Sequence, residues 1–428
     1  MNGFINYYFN QLQGSVLRRN VVYTFGRQMV AALAQLATVI IIAREFGAEG
    51  NGQYAMVILL PTLLVSFLNF GIGPANVFYL GRKETHSHHA TVENAKIAFF
   101  IGGLGTICAL IVLWHWGKIL FPGVPLQFLY IGLAAFPLAL LLGYLNSILQ
   151  GIENFKAFNW ATLTPPLATL LYISIAIFIL DMGLLGAVVG FVLGYVTGLF
   201  VVGFFLHRQF KIEKKINNEP EIGIAYKQKA ISYGWKAYFS NIMAFVNYRA
   251  DIFLVNLFIG PAATGIYVIA VHIAEKLWML SQAASTVLLP RLSSMYKDPL
   301  ARLRLTNKAV LGVLLLTAAA AFLSAFLLFV LIEPIFGPEF VGALSPFLWL
   351  LPGIIAGAGA RVQSNCIAAA GKPEWNMYVA IGVVTLNIIG NVILIPIWGI
   401  DGAAIATSLA YMANAGIKLF LVRRTLFL

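Results

Sequence analysis

Apolar residues come in long unbroken runs along this chain, and polar residues are confined to short breaks between them. Runs near 20–43, 54–80, 96–116, 126–150, 160–180, 184–206, 230–259, 264–290, 306–332, 342–370, 376–397 and 403–424 each approach the ~20 residues that carry a helix across a hydrocarbon core about 30 Å thick. The pattern predicts an all-α integral membrane protein with about twelve transmembrane helices. The runs are too long and too continuous for barrel strands, which alternate in and out over about ten residues.

The breaks repeat. Gly47, Gly52 and Tyr54 return with the same spacing as Gly260, Gly265 and Tyr267, and Gly183, Gly186 and Ala187 return as Gly399, Gly402 and Ala403. The two shifts, 260 − 47 = 213 and 399 − 183 = 216, are close to half of the 428 residues. Two similar bundles follow, of the kind that secondary transporters build from internal repeats around a shared site. The expected division is an N-lobe at 1–206, a polar linker at 207–229 and a C-lobe at 230–428. The matched glycines should occupy matching turns.

Basic residues set the expected orientation. Arg18 and Arg19, Arg82 and Lys83, Lys156, the 207–229 segment, the stretch from Arg291 to Lys308, Lys372, and Arg423 with Arg424 fall in breaks on one side. The alternate breaks hold Arg44 and Lys118 among the acids Glu45, Glu49, Asp181, Glu333, Glu339 and Asp401. The positive-inside rule then places both termini in the cytoplasm, and the even number of crossings per half makes the repeats parallel. Residues 1–17 lack the charged flank and cleavable apolar core of a signal peptide, and fit a segment lying along the interface.

Composition agrees, with 60% hydrophobic and 10% charged residues, too apolar for a surface facing water on all sides. The net charge of +12 follows from the basic breaks, whose natural neighbours are anionic lipid headgroups, so a nucleic-acid partner is not needed. Phosphate-loop, metalloprotease, Cys-pair and serine-hydrolase signatures are all missing, which leaves secondary transport and no enzyme chemistry. No cofactor is expected. His86, His88 and His89 read as a solvated polar loop before they read as a metal site, and Cys108 and Cys366, both in apolar runs, read as small packing residues.

Charges inside the apolar runs are the candidate chemistry. An ionised side chain at mid-bilayer costs about 2.5–3.5 kcal/mol on insertion scales, so it ordinarily faces a wet cavity or a partner. Arg27, Arg249, Lys276 and Arg361 are the cations, Asp251 and Glu275 the acids, and His272 stands beside them. Arg249 and Asp251 equally fit helix-to-helix ion-pair anchors, while Arg27 and Arg361 lie close enough to the cytoplasmic end to snorkel. Four cations against two acids favour an anionic cargo, and the arginine fork suits phosphate. Asp251, Glu275 and His272 are the expected ion-pair or cation-coupling groups. Tyr248, Trp278 and Gln282 on the same helices offer stacking and hydrogen bonds to sugars.

The stretch from Asp251 to Gly260, continued by Gly265 and Tyr267 and by Val287 to Pro290, resembles Wzx-type oligosaccharide flippases of the multidrug/oligosaccharidyl-lipid/polysaccharide transporter superfamily. Phe70, Gly71, Gly73 and Pro74 before the first cytoplasmic break, and Gln150 with Gly151 after the fourth helix, support it. The resemblance implies a V-shaped bundle of helices 1–6 and 7–12 around a central cavity in the bacterial cytoplasmic (inner) membrane. There it implies alternating-access transfer of an undecaprenyl-pyrophosphate-linked oligosaccharide to the outer leaflet, for surface polysaccharide assembly, beside a glycan polymerase and chain-length machinery. Lipid II flippases usually carry two further helices. Drug exporters of the superfamily commonly hold a carboxylate early in the N-lobe, where this chain has Arg27. A cation-coupled multidrug antiporter and a nontransporting scaffold for glycan synthesis are the alternatives.

Overall fold

The computed structural model describes residues 2–216, 225–295 and 298–424; the part of the expected linker at 217–224 and the side chains of Arg18 and Arg19 lie outside that description. In chain order the helices are α1 (Asn2–Leu68), α2 (Ile72–Gly81), α3 (Ser87–Leu120), α4 (Leu126–Leu133), α5 (Ala135–Gly151), α6 (Phe155–Phe178), α7 (Gly183–Ile216), α8 (Ala225–Phe258), α9 (Pro261–Lys276), α10 (Trp278–Ser294), α11 (Pro299–Phe336), α12 (Leu344–Ala369) and α13 (Pro373–Arg424). A 3-10 turn, Pro338–Ala343, precedes α12, and no strand occurs among the described residues.

Nine stretches among the described residues are long and apolar enough to cross a membrane. Two of them, in α1 and α13, each hold two helices joined at a glycine: Gly47 (φ 63°, ψ −165°) and Gly399 (φ 60°, ψ −137°). With the 34-residue α8, about twelve crossings result, as the apolar runs predict. Leu311, Leu315, Phe322, Phe326 and Phe329 along α11 are exposed, an apolar face suited to lipid tails.

Several expected single helices are broken. The 54–80 run divides where Phe70 (φ 47°) and Gly71 (φ 68°) take left-handed conformations, a turn closed by the Gly71 amide donating to Asn69 Oδ1 at 2.8 Å. The 126–150 run divides at Ala134, three residues before Pro137, whose missing N–H and bulky ring disfavour an uninterrupted α-helix there. The 264–290 run divides at Leu277, whose amide bonds the carbonyl of Ala274 at 3.2 Å, three residues back rather than four.

The repeated glycines occupy repeated conformations. Gly47 and Gly260 both have positive φ (63° and 117°) with extended ψ, and Gly183 (φ 59°) matches Gly399 (φ 60°). Side chains other than hydrogen are strained there, which explains why the sequence motif survives in both halves.

The described residues cluster into two compact units. The first comprises Met1–Ile41, Leu60–His115 and Leu126–Tyr238; the second comprises Ile42–Leu59, Trp116–Pro125 and Phe239–Leu428. In the first, α7 presents Gly186, Gly190, Gly194 and Gly198 at four-residue spacing to α6: a Cβ on Gly190 would stand 3.0 Å from the Ile173 amide nitrogen, and one on Gly198 2.7 Å from Pro165 Cγ. Small residues on one face let two helix backbones approach closely where lipid offers no hydrophobic drive. Asn76, fully buried on α2, donates to Ser147 Oγ on α5 (2.7 Å) and accepts from Asn94 on α3 (3.0 Å).

In the second unit, the 42–59 segment is pinned at both sides of the Gly47 joint. Arg44 donates to the carbonyls of Pro334 and Ile335, among the unsatisfied C-terminal carbonyls of α11, and the Glu339 carboxylate accepts from the Ala48 amide at 2.8 Å, capping the second arm of α1. Positive and negative groups thus sit where the helix ends favour them. One turn on, Gly52 and Gly265 cross: a Cβ on Gly52 would lie 2.9 Å from the Gly265 nitrogen, and one on Gly265 2.8 Å from the Gly52 nitrogen. Asn51 seals the crossing by donating to the Gly265 carbonyl at 2.8 Å. The repeated motif therefore packs against its own copy.

Candidate functional site

Arg27 lies in the first unit, on the first arm of α1. Its guanidinium donates to Thr162 Oγ1 of α6 at 2.6 Å and lies over the Phe158 ring, 5.5 Å from the centroid. Thr162 is held for this by donating its own proton to the Phe158 carbonyl at 2.7 Å. The α6 end that carries both residues is fixed by Asn154, whose side chain accepts from the Ala157 amide, an N-cap arrangement. Arg27 Nε is buried without a hydrogen-bond partner. The group is therefore anchored on one edge only.

The second unit holds every other predicted site residue. Arg249 on α8 and Glu275 on α9 form a two-pronged ion pair, Nη1 to Oε1 at 2.8 Å and Nη2 to Oε2 at 3.3 Å, with side chains 29% and 20% exposed. Asp251 does not join it. Residues two apart on a helix point roughly 200° apart, and Asp251, 2% exposed, faces away to accept from the Ile252 amide (2.8 Å), the Tyr267 hydroxyl (2.8 Å) and the Thr407 hydroxyl (3.3 Å). It ties α8 to α9 and α13.

Lys276, one residue past Glu275, points elsewhere and is exposed, as the ~100° step per residue requires. His272, one turn before it, is half-buried and close enough to Arg249 and Lys276 to feel both charges. Arg361 on α12 donates to Gln282 Oε1 at 3.1 Å, approaches the Tyr248 hydroxyl at 3.5 Å and lies 5.4 Å from the Trp278 ring centroid. Tyr248, Trp278 and Tyr411 form an aromatic cluster, with centroids 5.2 Å (Tyr248–Trp278) and 5.1 Å (Trp278–Tyr411) apart. Trp278 is oriented by its indole N–H donating to the Ile354 carbonyl at 3.0 Å.

Tyr248 links the parts, since its carbonyl accepts from Arg249 (2.9 Å) and its hydroxyl faces Arg361. The sequence pattern missed Tyr411, Thr407 and Lys418. Tyr267 was visible in the repeated motif, though not its partner. No group of three or more His, Cys, Asp or Glu side chains suited to a metal occurs among the described residues.

A family model of polysaccharide biosynthesis proteins matches residues 17–296, which spans all of these groups except those on α12 and α13. The chain belongs to that family. No curated protein sequence matches it. Among solved structures, this member of the family is similar to a lipid II flippase MurJ in an inward closed conformation (19% identity, 94% of this chain and 87% of that one, TM-score 0.70). It is also similar to an inward-facing multidrug resistance transporter of the MATE family (13%, 94% and 97%, 0.72) and to the MATE multidrug transporter DinF-BH (18%, 97% and 97%, 0.67). At these identities the likeness is one of fold, that of a multi-pass helical membrane protein.

Proposed function

We propose that this protein is a flippase that moves a polyprenyl-pyrophosphate-linked oligosaccharide from the cytoplasmic to the outer leaflet by alternating access. Membership of the polysaccharide biosynthesis family supports the glycan, and the excess of cations within the apolar helices supports the anion. Among the described residues Arg249 is compensated by Glu275, whereas Arg27, Lys276 and Arg361 have no carboxylate within 4.0 Å. That uncompensated charge is the observation on which the reading turns.

The physics follows from the cargo. Moving bare pyrophosphate through hydrocarbon forfeits its hydration, so fixed cations must replace water along the path while the polyprenyl chain stays in lipid. A net charge of −2 on the cargo would gain about 4–5 kcal/mol per 100 mV on moving outward across an inside-negative membrane. The potential then suffices as a driving force. In a cation-coupled antiporter Asp251 would be the coupling group, because Glu275 is paired with Arg249. The bacterial inner membrane, cytoplasmic termini and a neighbouring polymerase belong to the same reading.

The test is delivery of lipid-linked oligosaccharide to the outer leaflet in cells lacking the endogenous gene. Arg27→Met should abolish delivery at normal protein level and Arg27→Lys should restore part of it, since the ammonium keeps the charge and loses the fork. Full delivery with Arg27→Met and Arg361→Met combined would remove the anion argument.

A further inference from the structure

Lys418 stands out because it is buried and, among the described residues, has no hydrogen-bond or ion-pair partner. It is 8% exposed on α13, and it makes no hydrogen bond or ion pair among the described residues. A lysine serving only as a headgroup anchor would run along the lipid-facing surface with its ammonium in water. This one is covered by protein over nearly all of its surface.

Its surroundings are defined by helix geometry. Tyr411, Asn414 and Lys418 follow at spacings of three and four, so they share one face of α13. Tyr411 on that face packs against Trp278 and Tyr248, the same two side chains that Arg361 meets. Arg361 is near enough to Lys418 for the two charges to act on each other. Depth agrees: Arg361 lies eight residues before the end of α12 and Lys418 six before the end of α13, about 12 Å and 9 Å at 1.5 Å per residue. Asn414 Oδ1, between Tyr411 and Lys418, is buried with no donor. Two cations without a carboxylate, a carbonyl oxygen without a donor and an aromatic wall thus meet inside one unit.

Arg361 is half-buried and Lys418 buried; like charges so placed repel, and an opposite charge would complete them. The complement here is an oxyanion: two oxygens on the Arg361 fork and a third on the Lys418 ammonium. A hydroxyl beside that oxyanion would supply the donor that Asn414 lacks. We propose that Arg361, Lys418 and the Tyr248–Trp278–Tyr411 wall form an oxyanion-and-sugar subsite within the second unit, with a sugar ring against the aromatic wall. The subsite rests on the flippase reading and adds to it Lys418, Asn414 and Tyr411. The oxyanion comes either from the pyrophosphate of the carrier or from the carboxylate of an acidic sugar in the glycan.

Binding to the purified full-length protein tests this, with undecaprenyl pyrophosphate, tetragalacturonate and uncharged undecaprenol as probes. Lys418→Met and Arg361→Met should each weaken one of the two anionic probes at least tenfold, and the probe affected identifies the source. Undecaprenol binding should not change, and Lys418→Arg should stay within a few-fold of the parent. Lys418→Met should also raise the thermal midpoint, because it removes an uncompensated buried charge, the usual exchange of stability for function. Unchanged binding of both anionic probes by both variants overturns the subsite, as does a lowered midpoint in Lys418→Met with binding retained. Failure of the parent to bind either anionic probe overturns it too. Flipping by the unmodified protein in vesicles is measured separately, so loss of the subsite and loss of the flippase reading are told apart.

Discussion

Gly52→Ala should destabilise the second unit although it adds one methyl group. The new Cβ would stand 2.6 Å from the Pro261 carbonyl carbon and 2.9 Å from the Gly265 nitrogen, both backbone atoms that no rotamer change can move. The Pro261 carbonyl oxygen lies nearer still; bringing the carbonyl carbon alone from 2.6 Å to the 3.4 Å at which ordinary contact begins takes a separation of about 0.8 Å, and overpacking of this kind costs at least about 1–3 kcal/mol. That outweighs the ~1 kcal/mol that alanine ordinarily gains over glycine within a helix. Separation would also stretch the Asn51 bond to the Gly265 carbonyl, now 2.8 Å. Gly265→Ala demands the same separation from the other side, so the double variant should cost less than the sum of the two. Thermal unfolding in detergent, followed by intrinsic fluorescence, reads all three, with Gly312→Ala as control because nothing lies within 4 Å of a Cβ there. A Gly52→Ala protein as stable as the parent, or strictly additive losses, would refute the crossing.

Two further outcomes follow from the geometry. Glu275→Gln leaves Arg249 uncompensated and should cost about 3–5 kcal/mol, whereas replacing both partners by methionine should recover most of it; a double-mutant cycle on unfolding midpoints with no coupling would show that the pair is incidental. A single cysteine at Lys211, in a background with Cys108 and Cys366 replaced, should react with membrane-impermeant maleimide only after the membrane is opened. Labelling in intact cells would invert the orientation drawn from the basic breaks.

The backbone plan was legible because it depends on patterns that one dimension carries. Continuous apolar length gives the crossings, and Gly47, Gly260, Gly183 and Gly399 mark positions where positive φ leaves little choice of residue. The breaks at Phe70 and Leu277 were not legible, since Asn69, Gly71 and Pro74 at the one and Glu275 with Lys276 at the other also occur within continuous membrane helices. Charges within those runs announced Arg27, Arg249, Glu275 and Arg361, but not who faces whom. Reading Arg249 and Asp251 as helix-to-helix anchors left their partners open, and helix phase sends one to Glu275 and the other to Tyr267 and Thr407. Lys418 was hidden by its position five residues before the basic pair Arg423 and Arg424, where a lysine reads as part of a cytoplasmic flank. Only packing reveals that the residue is buried.

The central claim is that this chain carries a lipid-linked anion across the bilayer. It is tested most directly with purified protein in liposomes containing a fluorescent polyprenyl-pyrophosphate oligosaccharide, with an impermeant quencher added outside under an imposed membrane potential. The protected inner-leaflet fluorescence should be lost faster than in protein-free vesicles, faster still when the potential draws negative charge outward, and no faster than background with Arg27→Met and Arg361→Met combined. Fluorescence that stays protected with the unmodified protein under either polarity would contradict it.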